Sequence, residues 1–131
     1  MIYTEISGKD YYRLRNTTGA YLVLWSNGTK EWYLHGNFHR EDGPAIEGAN
    51  GTKQWYLHGE RHREDGPTVE LADGDKFWHL DGFLHREDGP AVEWADGAEE
   101  WWLHEIQYQT EEEWQIALEE LKKKEIKDLI V

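Results

Sequence analysis

The hexapeptide His39-Arg40-Glu41-Asp42-Gly43-Pro44 recurs unchanged at residues 62–67 and at residues 85–90, so that successive copies start 23 residues apart. Three other residue types keep the same period. They are Trp32, Trp55, Trp78 and Trp101; Leu34, Leu57, Leu80 and Leu103; and Gly28, Gly51, Gly74 and Gly97. Self-similarity at a fixed period of this length is typical of repeat proteins, in which each unit buries its apolar face against its neighbours. The sequence therefore predicts an array of stacked units.

Each unit has the pattern of a β-hairpin. Residues 30–35 alternate in character, which places Trp32 and Leu34 on one face of a strand and Tyr33 on the other. We expect a loop over residues 36–44, a short strand over 45–47 and a type I′ turn at Asn50-Gly51, with Asp-Gly at the same place in later units. The predicted fold is mostly β, an open twisted antiparallel meander of stacked hairpin repeats.

The array has different segments at its two ends. Residues 1–26 are predicted to be an N-terminal cap or half repeat, 27–96 three full repeats, 97–110 a partial fourth repeat and 111–131 a C-terminal amphipathic helix. Thr110 and Glu113 have the spacing of a capping box. Trp114, Ala117, Leu118 and Leu121 then recur at helical spacing, which predicts one helix over about 111–128. We expect it to pack across the end of the array or its apolar face.

Composition excludes several classes of function. The chain has 131 residues, with 27 acidic and 14 basic side chains and a formal charge of −13. This charge disfavours binding to nucleic acid or to an anionic membrane. The absence of cysteine excludes thiolate metal and redox sites. The N-terminal residues do not resemble a signal peptide and no apolar run is long enough to span a bilayer, so we expect a cytoplasmic protein.

The unit W-Y-L-H-G-x-x-H-R-E-D-G-P-x-V-E-x-A-D-G resembles the MORN repeat (membrane occupation and recognition nexus), over residues 20–114. Its H-R-E-D-G-P-A variant is similar to repeats in uncharacterised proteins of bacteriophages and giant viruses. The resemblance implies an open, twisted sheet that serves as a scaffold or binding surface, in the host cytoplasm if phage-encoded. The common unit has glycines in place of His-Arg-Glu-Asp, so lipid binding is not carried over.

The repeated loop is the first candidate site. Its residues are His39, Arg40, Asp42, His62, Arg63, Asp65, His85, Arg86 and Asp88. In a structural interpretation, the arginine pairs with carboxylates of its own or the adjacent unit, the aspartate caps the Gly-Pro turn and the imidazole bonds backbone carbonyl groups. Alternatively, His39, Glu41 and Asp42 hold a metal, or the arginines and histidines bind phosphates. Against a metal, a glycine-containing turn separates His39 and His62 from the imidazoles four residues upstream, and the third unit has Asp81 in place of that upstream histidine.

A second group of candidates varies between units while the frame stays fixed, which suits contact with a partner. Its members are Tyr33, Tyr56, His79 and Trp102 and the pair Phe83 and Leu84. The acidic residues Glu99 and Glu100 are a further candidate contact, because negative charge rises along the array toward the C-terminal helix. The tryptophan series forms either the core of the array or a platform for flat rings. The Phe83-Leu84 pair either protrudes or lies under the C-terminal helix.

The sequence contains no combination of nucleophile, base and orienting group, so we expect no catalytic residues, no cofactor and no metal. The first hypothesis is a non-enzymatic module that binds a protein with a basic surface. By analogy with viral repeats, it could inhibit a host defence protein. The alternative is a sponge for nucleotides or other small ligands that uses the His/Arg loops. Self-association through sheet edges or the C-terminal helix is a further expectation.

Overall fold

The computed structural model describes residues 1–14 and 18–130. These residues form fifteen short strands and two helices. In chain order they are β1 (Thr4–Ser7), α1 (Gly8–Leu14), β2 (Ala20–Leu24), β3 (Lys30–Leu34), β4 (Asn37–Phe38), β5 (Ile46–Glu47), β6 (Lys53–Gln54), β7 (Tyr56–Leu57), β8 (Glu60–Arg61), β9 (Val69–Glu70), β10 (Lys76–Phe77), β11 (His79–Leu80), β12 (Phe83–Leu84), β13 (Val92–Glu93), β14 (Glu99–Leu103), β15 (Ile106–Tyr108) and α2 (Glu111–Ile130).

The mostly β, open sheet is confirmed, and from β2 onward it is an antiparallel meander. Eleven strands form the main sheet in the order β1-β2-β3-β5-β6-β9-β10-β13-β14-β15, with β4 paired to β3. The pairs β7–β8 and β11–β12 form two small hairpins. The N-terminal segment differs from the expectation, because β1 pairs with β2 in parallel. A parallel pair needs a crossover, and α1 provides part of it. The prediction of antiparallel pairing throughout was therefore wrong at this edge.

The tryptophan of each unit is the point where a long strand changes partner. The N–H of Trp32 donates to the carbonyl of Ala45 (2.8 Å), and the carbonyl of Trp32 accepts from the N–H of His39 (3.0 Å). Trp55 and Trp78 make the equivalent pairs of bonds. The first part of the strand thus pairs within the meander and the second part pairs with its own hairpin, so each unit carries its H-R-E-D-G-P loop between the two.

The type I′ turn of each unit lies at a different place from the one that the sequence predicted. His35 and Gly36 both have positive φ, 50° and 82°, between the paired residues Leu34 and Asn37. This is a two-residue type I′ turn. The predicted loop over residues 36–44 therefore begins with a strand, β4, and the irregular part starts at His39.

The Asn50-Gly51 turn is not type I′, because of its two central residues only Gly51 has positive φ (95°). The N–H of Gly51 donates to the carbonyl of Gly48 (2.9 Å), and the N–H of Gly48 donates to the carbonyl of Thr52 (2.7 Å). These bonds define a three-residue loop with a type I turn and a left-handed glycine. Asn50 Oδ1 accepts the N–H of Thr52 at 3.0 Å, which favours this geometry.

The sheet has two faces with different chemistry. We call the face that carries Trp32, Trp55, Trp78 and Trp101 the Trp face, and the face that carries Tyr33, Tyr56, His79 and Trp102 the Tyr face. Strand pairing aligns alternating charges across the Trp face, in the order Lys30, Glu47, Lys53, Glu70, Lys76, Glu93 and Glu99. The parallel row on the Tyr face contains the buried Val23, Val69 and Val92. The buried core is therefore thin.

Helix α2 closes the C-terminal end of the array, as predicted, and runs two residues further than expected, to Ile130. The N–H of Glu113 donates to Thr110 Oγ1 (3.1 Å), and Glu113 accepts the N–H of Gln109 (3.2 Å), so the capping box is confirmed in outline. Trp114 and Leu118 are buried against Leu103. Neither helix in the described part of the chain is long and apolar enough to cross a membrane.

Candidate functional site

Each H-R-E-D-G-P loop folds onto the Trp face and places its arginine on the tryptophan of the same unit. The guanidinium carbon lies 3.8 Å from the ring centroid in the pair Arg40–Trp32, 3.8 Å in Arg63–Trp55 and 3.9 Å in Arg86–Trp78. We call these three pairs the Arg–Trp stacks. A desolvated cation on an indole face is attracted by the ring quadrupole. Trp32, Trp55 and Trp78 are therefore each covered by an arginine of their own unit.

The guanidinium donors in the stacks are also occupied. Arg63 Nε donates to Asp65 (3.1 Å), and Arg63 Nη1 donates to the carbonyl of Pro67 (3.0 Å) and lies 3.5 Å from Glu70. A Cβ on Gly66 would stand 2.7 Å from Arg63 Cζ, which explains the glycine. The other two loops repeat these contacts. The expected pairing of arginine with carboxylates is found within its own unit, where the loop aspartate accepts a hydrogen bond from the arginine Nε.

The Arg40 guanidinium lowers the pKa of the Asp42 carboxyl, through a hydrogen bond first and through its charge second. Asp42 nevertheless remains 84% exposed, as do its equivalents at similar values. The three aspartates thus lie at the solvent-exposed rim of each loop.

The fourth unit has no loop arginine, and the C-terminal helix substitutes for it. Trp114 lies on Trp101 with ring centroids 4.8 Å apart. Sequence periodicity did not reveal this contact, although Trp114 is the one aromatic residue of the helix. The helix therefore ends the array by filling the place that arginine fills in the other units.

The loop histidines join neighbouring units. His39 Nδ1 accepts a hydrogen bond from the N–H of His58 in the next unit (3.0 Å). The two rings are in contact, with centroids 4.4 Å apart and planes tilted by 49°, and His39 Nε2 faces Glu41 at 3.5 Å. His85 and His104 repeat the arrangement at 2.9 Å and 4.2 Å. The prediction that these imidazoles bond backbone carbonyls was wrong, because Nδ1 accepts a hydrogen bond instead.

His62 lacks this environment. The position that holds a contacting histidine in the other units holds Asp81 here. The side chain of His62 is therefore 40% exposed, whereas His39 is 1% exposed. Among the described residues, 1–14 and 18–130, no group of three or more His, Asp or Glu side chains lies close enough together to hold a metal ion. With Nδ1 of His39 and His85 engaged, the loops have the geometry of structural joints.

Two clefts open between successive loops on the Trp face. Cleft 1 lies between residues 40–44 and 62–65, above Trp55 and Leu57, and has a volume of about 700 Å³. Cleft 2 lies between residues 62–67 and 85–88, above Trp78 and Leu80, and has a volume of about 680 Å³. Each is lined by two arginines and four carboxylates, a net charge of −2. Glu64 belongs to both clefts and its side chain is 88% exposed.

The variable residues of the Tyr face form a row of half-buried side chains in contact with one another, rather than an exposed surface. Ring centroids are 4.4 Å apart between Tyr11 and Tyr33, 4.8 Å between Tyr33 and Phe38, and 5.2 Å between Phe38 and Tyr56. Burial raises the pKa of the Tyr33 hydroxyl, and the nearby Glu31 adds to the effect. Tyr56, His79, Leu84 and Trp102 are likewise half-buried.

Of the predicted contact residues, Phe83 and Glu99 are exposed. Phe83 is 53% exposed, and α2 packs on β14 and β15 rather than over it, so the pair Phe83-Leu84 is not under the helix. Glu100 accepts hydrogen bonds from Trp94, Trp102 and Gln107. Glu100 is therefore an internal acceptor, and Glu99 faces solvent on the other side of the strand.

His79 replaces the tyrosine of the first two units, and it contacts Thr68, which replaces an alanine. Burial lowers the pKa of His79 to about 4, and the charge of Arg61 acts in the same direction while Glu105 opposes it. Ala45 and Tyr56 hold the equivalent positions one unit earlier. At the later interface the smaller imidazole ring replaces the tyrosine ring, and the added hydroxyl of Thr68 contacts it.

The chain matches no protein-family model, and no match to it was found among the curated proteins or the solved structures. Its function is therefore inferred from the loops and clefts. Sequence reasoning singled out the loop residues but missed their stacking on the tryptophans. The signal was present, since arginine and tryptophan keep one period and stand eight residues apart in each unit.

Proposed function

We propose that this protein is a non-catalytic module that binds a second protein with a basic surface through its row of H-R-E-D-G-P loops. The observation that carries the proposal is that the positive charges of the loops point inward while most of the negative charges are exposed. Arg40, Arg63 and Arg86 are held inward on tryptophan, while the loop carboxylates Glu41, Asp42, Glu64, Asp65 and Asp88 are largely exposed. The loops thus present negative charge at three places with one repeated geometry.

The overall charge of −13 supports a basic partner. A field of one sign accelerates the approach of an oppositely charged protein and selects against acidic ones. Repetition adds contacts of the same kind along one edge, so each can be weak while the sum is specific.

The alternative, a sponge for nucleotides, receives less support from the same geometry. A phosphate at Arg63 would have to displace Asp65 and Glu70 from the guanidinium and approach Glu64. Carboxylates at this distance oppose an anion.

The resemblance to repeats of bacteriophage proteins extends the proposal. A phage-encoded protein of this kind would act in the host cytoplasm and inhibit a host defence protein by covering its basic surface. The acidity and the repeated loops support this extension.

A charge-neutralised loop variant tests the proposal. Glu41→Gln, Glu64→Gln and Glu87→Gln together remove three loop charges, and a glutamine at position 87 can still accept the hydrogen bond of His85. The matched control is Glu119→Gln, Glu120→Gln and Glu125→Gln on the exposed side of α2. Immobilised wild type and control should retain the same basic proteins from a cell extract, and the loop variant should lose them. Equal retention by all three proteins would refute the proposal.

A further inference from the structure

The two clefts have the chemistry of slots for long cationic side chains. Leu57 and Trp55, whose ring face carries Arg63, line cleft 1 together with the carboxylates of the two loops. Leu80 and Trp78, whose ring face carries Arg86, line cleft 2 in the same way. Lysine and arginine lay their methylene groups on apolar surface while the charged end stays at a polar rim. A bare metal ion has no such use for an apolar floor, and it needs several converging ligands.

The distance between the clefts follows from the sheet. One unit advances by two strands, for example from β6 across β9 to β10, so equivalent points on neighbouring units are about 9.5 Å apart. A polyproline II helix rises about 3.1 Å per residue with three residues per turn, so every third side chain recurs at about 9.3 Å on one edge. A β-strand repeats its side chains on one face at about 6.6 Å or 13 Å, which misses this spacing.

The C-terminal helix limits the number of clefts. A third cleft, after residues 85–90, would need a fourth H-R-E-D-G-P loop as its second wall, and the sequence has only three copies. At that end of the array Trp114 of the helix packs on Trp101 instead. The described part of the chain therefore offers two equivalent slots, with Glu64 shared between them.

We propose that the segment recognised by this protein is a basic polyproline II stretch with lysine or arginine at positions i and i+3, one side chain in each cleft. Aromatic-floored grooves bind this conformation in other recognition modules, because the peptide is already extended and loses little entropy. The inference rests on the proposed function, for which it specifies the partner chemistry.

Synthetic peptides test the spacing. Three proline-rich peptides of equal length and composition carry two lysines at i and i+2, i and i+3, or i and i+4, and a fourth, helical peptide carries them at i and i+7. Affinity for the full chain is measured by fluorescence anisotropy at low and moderate salt. The i, i+3 peptide should bind about tenfold tighter than either of its neighbours in the series, since only it fills both slots without strain. Equal affinity across the series, or tighter binding of the helical peptide, would overturn the inference.

A single substitution locates the site. Glu64→Gln should remove most of the preference for i, i+3, whereas Glu60→Gln, an exposed glutamate of the same unit, should leave it unchanged. An unchanged preference in Glu64→Gln would overturn the assignment to the clefts. If the peptides fail while retention of basic proteins still depends on the loop glutamates, the inference falls and the proposed function stands. If that retention is independent of the loops, the proposed function falls as well.

Discussion

The imidazole of His39 accepts a hydrogen bond from the backbone N–H of His58 at 3.0 Å and contacts its ring in a tilted arrangement, so a residue of one unit completes the turn of the next. His58 has a φ of 49°, a left-handed conformation that leaves its N–H pointing back at the previous unit. The same joint links His85 to His104. The order of the array thus depends on contacts between units as much as on those within them.

The joint between the second and third units can be repaired. Asp81 has a φ of 51°, the same conformation as His58, so Asp81→His should place a ring on His62. We expect a gain of about 0.5–1.5 kcal/mol in the free energy of unfolding, the value of an aromatic pair. Urea denaturation measures the change. Asp81→Asn is the control, because asparagine tolerates this backbone conformation without adding a ring. A gain of equal size in Asp81→Asn would show that the ring stack is not its source.

The Arg–Trp stacks should distinguish arginine from lysine. Arg63→Lys keeps the charge but loses the planar group that covers Trp55 and bonds Asp65 and Pro67 at once. The expected loss is about 1–2 kcal/mol in the free energy of unfolding, measured in urea. Arg13→Lys, on the exposed side of α1, should change it by less than about 0.5 kcal/mol.

Similar losses in Arg40→Lys and Arg86→Lys would support one shared role for the three stacks. A loss in Arg63→Lys no larger than in Arg13→Lys would mean that the stack contributes nothing beyond charge.

The anchor of α2 should depend on one side chain. Trp114 is 4% exposed and packs on Trp101 and Leu103, so Trp114→Ala should cost about 3–5 kcal/mol. Ile126→Ala, on the distal half of the same helix, should change stability by less than about 0.5 kcal/mol because Ile126 is largely exposed. Thermal and urea unfolding of the two variants measure the difference. Comparable losses would mean that the distal half of the helix packs as firmly as its start.

The fold was largely predictable because one 23-residue period appears in a whole hexapeptide and in the tryptophan, leucine and glycine series at once. The turn types were not, since His35-Gly36 and Asn50-Gly51 both combine a turn former with glycine, and the difference lies in which strands they join. The parallel strand β1 and helix α1 also escaped prediction, because they lie outside the repeat and have no second copy to reveal their pattern.

The candidate site was predicted in its residues but not in its geometry. Loop periodicity identified Arg63 and His62, yet a period does not show whether a side chain points to solvent or to its own unit. The contacts of Arg63 with Trp55 and of His39 with His58 depend on the path of the loop over the Trp face. Variation between copies also misled, since Tyr56 and His79 vary because their packing partners vary, and both are half-buried.

Acid should weaken the fold through His79. Its pKa in the folded chain is about 4, below the ordinary 6.5, so the unfolded chain takes up the proton first as the pH falls. The stability from the neutral imidazole is present above pH 6.5 and is lost progressively between 6.5 and 4. The Asp42 carboxyl, whose pKa is lowered, adds a loss only as the pH falls below its ordinary value of 3.8.

A double variant isolates that effect. Thr68→Ala with His79→Tyr reproduces the Ala45-Tyr56 pair of the preceding unit interface, so the fold has a precedent for it. Unfolding free energies measured from pH 7 to pH 4 should fall less in the double variant than in wild type. Parallel curves for the two proteins would rule out His79 as a source of the acid sensitivity.

The charge ladder on the Trp face is interrupted at its last step. Lysine and glutamate alternate across the strands until Glu99 stands opposite Glu93, where the earlier units have lysine. Like charges in directly opposed positions destabilise a sheet, so Glu99→Lys should raise the free energy of unfolding by about 0.2–1 kcal/mol. The gain should shrink in high salt, because exposed pairs are screened.

Glu60→Lys makes the same change in net charge at an exposed position that opposes Leu57, and it should leave stability nearly unchanged. An equal gain in both variants would assign the effect to the overall charge rather than to the opposed pair. If Glu99→Lys stabilises the fold as expected and also weakens retention of basic proteins, Glu99 belongs to the binding surface, and a glutamate at this position lowers stability in favour of binding.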